Sequence, residues 1–192
     1  MSSLLILASE SPRRRALLAQ AGIVPDAVLP AAIDESVKKG ELPRAHAVRL
    51  AAEKARKVRA DWNGGPAFIL AADTVVAMGR RILPKAADDE EVRTCLEHLS
   101  GRRHQVITAV ALISPDGRLR SRVAQTRVAV LRLSDADIAG YVESREGVGK
   151  AGGYAIQGRA EMLIKEISGS WSNVVGLPLA LTVSLLKGAG YG

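Results

Sequence analysis

The feature that most constrains the fold lies in the second half of the chain. Residues 105–113 and 119–132 are two long strand-like runs, and Pro115-Asp116-Gly117 stands between them. Proline presets the turn, aspartate bonds its own backbone and glycine takes the positive φ a tight reversal needs, so the two runs pair antiparallel. A purely parallel sheet is thereby excluded.

Helices punctuate the strands elsewhere. Residues 4–8 (LLILA) read as a short buried strand, and Ser9-Glu10-Ser11-Pro12 after it is a helix start. There a serine oxygen caps free amides and proline suits the first turn. Leu17, Leu18 and Ala21 give that helix its apolar face, with Gly22 as its stop. A second amphipathic helix is predicted from Pro43 to about Arg59, where Val48, Ala51, Ala55 and Val58 recur at helical spacing.

The apolar runs 67–72 (AFILAA) and 75–78 (VVAM) place Asp73 and Thr74 inside a buried strand, with a second short strand at 81–83 after the Gly79-Arg80 turn. Asp88 with Glu91 opens a helix whose apolar positions are Val92, Cys95, Leu96 and Leu99, and Ser134 with Asp137 opens another. Residues 147–158 are a glycine-rich loop, 160–167 an apolar-rich strand, and Pro178 to Lys187 a last helix. No repeat or linker divides the 192 residues. The expectation is one continuous domain over 1–192, of α/β class with a mixed sheet flanked by helices.

Composition narrows the function. The net charge of +7 invites nucleic acid, yet the charges are scattered and aromatic residues are 3% of the chain, so stacking platforms are scarce. Small phosphorylated anions match better, and the expected partners include neither nucleic acid nor membrane. The stretch MSSLLILASESPRRR has too few apolar residues for a membrane span and carries its arginines on the wrong side for a secretory signal. Cytoplasmic residence is expected, which suits a chain whose lone Cys95 has no disulfide partner.

Two places carry suggestive chemistry. In Ser9-Glu10-Ser11-Pro12-Arg13-Arg14 a helix N-terminus and two forked donors stand together, a way to hold phosphates, although solvated arginines after a capped start are also common. Asp73 ends an almost wholly apolar run, where a carboxylate must be paired, hydrogen-bonded or bound to a cation. A turn aspartate and a Mg²⁺ ligand both remain open for it. Glu35, Lys54 and Lys85 gain meaning only if they converge with it. The loop GVGKAGGYAIQG permits close approach to a ligand around Lys150 and Gln157, or is simply a tight turn, and fits neither the Walker A nor the dinucleotide spacing. His46, His98 and His104 show no zinc spacing with Cys95, and no nucleophile-elbow motif is present.

Five motifs occur in one order: LASESPRRRALLAQAGI, RLAAEKA, AADTVV, KAGGYAIQG and VVGLPL. With these the chain resembles the Maf family of nucleoside triphosphate pyrophosphatases, also described as septum-formation inhibitors, from about Leu4 to Leu186. The resemblance implies an elongated mixed sheet with two lobes around a cleft, related to inosine triphosphate pyrophosphatases. It implies Asp73 as catalytic carboxylate, with Glu35 beside it on a divalent metal, Mg²⁺ or Mn²⁺. Ser9, Arg14, Lys54 and Lys85 are the implied substrate-binding residues, and Arg13, Thr74 and Gln157 match positions associated with base choice. The Tyr154–Gly158 form resembles the branch acting on dTTP and UTP rather than on 7-methyl-GTP. A nucleotide-binding regulator of cell division with little turnover is the alternative, and a homodimer stays open. Two departures stand out: Pro84-Lys85-Ala86 replaces the usual Gly-Lys-Pro, and Glu10 stands where glycine is frequent.

Overall fold

A computed structural model describes residues 4–191; the first three residues of the N-terminal stretch and Gly192 lie outside the described residues. The strands are β1 (Leu4–Leu7), β2 (Ala27–Val28), β3 (Ala67–Met78), β4 (Arg81–Leu83), β5 (Arg103–Ile113), β6 (Leu119–Val130) and β7 (Ile164–Ser168). The helices are α1 (Pro12–Gln20), α2 (Pro43–Asp61), α3 (Asp89–Leu99), α4 (Asp135–Glu143), α5 (Trp171–Val175) and α6 (Leu179–Lys187). One mixed sheet runs in the order β2-β1-β3-β5-β6-β7, with β4 also on β3. The hairpin forms over its full length, Arg103 pairing with Ala129 and Ile113 with Leu119.

Strand alternation sorts the core into two layers. From β3, Ala67, Ile69, Ala71, Val75 and Ala77 join one apolar cluster, covered by Ala47, Ala51, Ala55 and Val58 of α2. Phe68, Leu70, Ala72 and Val76 join the other, covered by α1, α3, α4, α5 and α6. The expected mixed sheet between helices is thus what the chain builds. No helix among the described residues is long and apolar enough to cross a membrane.

One irregularity positions the site. β5 follows β3 along one edge from Ile69 to Ala77. On the other edge β1 pairs only with Ala67–Leu70 and β4 only with Val76–Met78. Among the described residues Ala71–Val75 therefore have no strand beside them there, and β1 leaves the sheet at this gap to enter α1.

The strand expectations mostly hold, and one needs correction. Asp73 and Thr74 lie inside one continuous strand, as expected, pairing with Ala109 and Thr108 of β5 without a break. Residues 160–167 are not strand throughout: Arg159–Leu163 form a 3-10 turn, and pairing resumes past a register shift at Ala129/Val130. The second-layer helix α5 and the two-residue β2 were not foreseen.

Candidate functional site

All nine residues singled out in the sequence line one cleft of about 600 Å³ at the gap in β3. Because neighbours on a strand face opposite ways, Asp73 points toward α2 and Thr74 toward α1 and α5. The cleft thus has two walls of different chemistry.

On the α2 wall charges alternate. Lys54 Nζ lies 2.7 Å from Asp73 Oδ1 and 2.6 Å from Glu35 Oε1, and Lys85 binds the other oxygen of Glu35. Asp73 is 4% exposed and Lys54 8%, so the cation that answers the strand's suspicious carboxylate is a lysine. Asp73 Oδ2 has no hydrogen-bond partner among the described residues. Burial alone would raise the pKa of Glu35, but the hydrogen bonds from Lys54 and Lys85 outweigh it and bring it to about 2. Glu35 is ionised at any working pH.

On the α1 wall the partners are neutral. Arg14 donates from Nε to the carbonyl of Gly176 at 2.9 Å, from Nη1 to Ser9 Oγ at 2.9 Å and from Nη2 to Thr74 Oγ1 at 3.3 Å. Burial lowers its pKa and Asp73 raises it; a guanidinium stays charged through both. Ser11 caps α1 by accepting from the Arg14 amide. Behind Thr74, Thr108 Oγ1 lies at 3.0 Å and donates to the carbonyl of Asn173 at 3.1 Å. Asn173 is fully buried and ties α5 to β5 and β6 through Val106 and Thr126.

The glycine loop closes the third side. Ala86 N donates to the Lys150 carbonyl, Gly149 N to Ala86 and Gly152 N to Pro84, while Lys85 and Ala151 form a bridge. This backbone zipper holds Lys85 although its flanking turn departs from the family's usual form. Gly152 has φ +68°, and a Cβ there would come within 2.7 Å of Val76, so the loop's glycines serve packing as well as ligand access. Tyr141 Oη accepts from the Ala155 amide at 3.0 Å and steadies the stretch before Gln157, which is exposed at the cleft.

Lys150, Tyr154 and Gly176 also line the cleft. Lys150 was legible as a loop cation; Gly176 acts through its carbonyl, which side-chain chemistry does not advertise. Five cationic side chains (Arg13, Arg14, Lys54, Lys85, Lys150) face three carboxylates (Glu10, Glu35, Asp73) here. Among the described residues no three His, Cys, Asp or Glu side chains group as a metal cage. Asp73 and Glu35, joined through Lys54, are nevertheless a donor pair of the kind Mg²⁺ takes when substrate phosphates and waters complete its shell.

Fold and site together define an α/β protein with a cationic cleft for a phosphate-bearing small molecule, placed where a sheet edge opens. The chain belongs to the Maf-like protein family, whose model matches residues 4–189. It is 57% identical over 187 residues to a dTTP/UTP pyrophosphatase of Caulobacter vibrioides, covering 97% of this chain and 96% of that one. It is 58% identical over 191 residues to a dTTP/UTP pyrophosphatase of Rhodopseudomonas palustris strain HaA2, covering 97% and 92%. A HAM1 protein from Coxiella burnetii shares the fold at a TM-score of 0.50 and 17% identity, over 97% of this chain and 99% of that one.

Proposed function

We propose that this chain hydrolyses dTTP and UTP to the nucleoside monophosphate and pyrophosphate. The observation that carries the reading is the convergence, in one cleft, of buried Asp73 and half-buried Glu35 on a shared lysine, beside an excess of cations. Relatives more than half identical over nearly the whole chain carry that activity in their names.

In the proposed reaction a water attacks the α-phosphorus, its proton passes to Asp73 Oδ2, and the bond from α-phosphorus to the bridging oxygen breaks as pyrophosphate leaves. Lys54, bonded to Asp73 Oδ1, keeps the aspartate aimed. Lys85 and Arg14 supply fixed positive charge toward the phosphates. Gln157, whose amide offers both a donor and an acceptor, reads the edge of the pyrimidine, with Arg13 and Thr74 lining the same cleft. Asp73 and Glu35 are the residues that would hold Mg²⁺ or Mn²⁺, whose chemistry would be to neutralise phosphate charge and acidify water.

The test is pyrophosphate release from dTTP and UTP by purified protein with Mg²⁺. Asp73→Asn lowers kcat at least about a hundredfold, the usual contribution of a general base; normal turnover by that variant would remove Asp73 from the role. Tight nucleotide binding by the native chain with no pyrophosphate released would replace this reading with that of a nucleotide-binding regulator.

A further inference from the structure

Residues 29–42 form a long span without helix or strand between β2 and α2, and Glu35 lies in its middle. Structureless spans of this length are uncommon in compact proteins unless they serve a function. The second half of the span has little apolar anchorage: Val37 is 51% exposed and Leu42 46%.

A polar clamp holds it instead. Arg49 of α2 donates to both oxygens of Glu41, from Nε at 2.6 Å and from Nη2 at 2.8 Å, and Nη2 also reaches the carbonyl of Ser36 at 2.9 Å. His46 Nδ1 lies 2.8 Å from Glu41 Oε2, and Lys38 N donates to the same oxygen at 3.1 Å. The Glu41 side chain is only 9% exposed and that of Arg49 16%. Ser36 is the residue after Glu35, so α2 grips the span twice, through Arg49 on the backbone beside Glu35 and through Lys54 on its carboxylate.

We infer that Arg49, fixed by Glu41, is a positioning residue that holds the span against α2 so that the Glu35 carboxylate stays between Lys54 and Lys85. An arginine is required because one planar fork must meet a carboxylate and a carbonyl together, which an ammonium does not do. Loss of the fork unties the backbone beside Glu35 from α2, leaving His46 on Glu41 as the clamp's remaining tie to the helix, and a small misplacement in such a site is costly.

The inference rests on the proposed activity for its readout, and a double-mutant cycle separates the two. Pyrophosphate release from UTP with Mg²⁺ is measured for the full chain and for Arg49→Ala, Glu35→Gln and the double variant. Arg49→Ala lowers kcat/KM about tenfold or more, while in the Glu35→Gln background the same change adds less than about twofold. Arg49→Lys recovers part of the loss. Losses that multiply in the double variant, or full activity in Arg49→Ala, overturn the inference. If Arg49→Ala does not fold, the cycle is run with Arg49→Lys under the same criteria. If the native chain releases no pyrophosphate, the proposed function fails; the cycle is then read in UTP affinity by calorimetry, where coupling or its absence decides the role of Arg49.

Discussion

The two walls of the cleft grow from adjacent residues of one strand yet solve opposite problems. The wall of Asp73 sets carboxylates against lysines, each charge answered by its neighbour. The wall of Thr74 bonds Arg14 only to hydroxyl and carbonyl oxygens, so no carboxylate caps its charge directly and a ligand can. A paired wall can accept a proton or a cation; an unpaired one can only attract anions. Alternation along β3 is enough to keep the two chemistries apart.

The contrast breaks most severely at the lysine that joins the carboxylates. Lys54→Met leaves buried Asp73 without its cation and Glu35 with Lys85 alone, and removing one partner of a buried ion pair costs about 3–5 kcal/mol. Urea unfolding measures it, and Mg²⁺ restores more stability to this variant than to the native chain. A variant as stable as the native chain would mean that the wall does not depend on its pairs.

The next effect lies beneath the neutral side. Tyr154, which lines the cleft, has its hydroxyl 2.7 Å from Nε2 of His104, a residue 2% exposed, and burial lowers the His104 pKa from 6.5 to about 4. Between those values the unfolded chain takes up a proton that the folded chain refuses. Stability therefore falls as pH drops from 6.5, by up to about 3 kcal/mol once pH passes 4. His104→Gln keeps a partner for Tyr154 and flattens that part of the pH–stability curve; an unchanged slope would assign it to other groups. The smallest effect sharpens the comparison rather than breaking it. Arg14→Lys keeps the charge but not the three-way fork, and raises KM for UTP about tenfold. An unchanged KM in steady-state kinetics would show that charge alone suffices.

Much of this was legible in sequence because it is local. Period and capping placed the main helices, and Pro115-Asp116-Gly117 fixed the hairpin. Asp73 was conspicuous because its neighbours are apolar. What binds it was not legible: Lys54 is 19 residues away on another element, and its helix face had to meet the strand before the pair existed. Residues 160–167 misled because their apolar content suits a 3-10 turn packed on the core equally well. The five-residue helix α5 is tied to β5 and β6 by Ser170 and Asn173, which bond Thr126 and Val106, contacts between distant segments that no periodicity announces.

The opening in β3 has a further consequence. Bare strand edges invite strands from other molecules and so promote aggregation. Here the unpaired stretch is Ala71–Val75, stopped at one end by β1 and at the other by β4, which denies an intruding strand the run it would need to dock. A protein that must keep part of a sheet edge bare to admit its ligand has, by framing that edge on both sides, made it a doorway for small molecules that is closed to other chains.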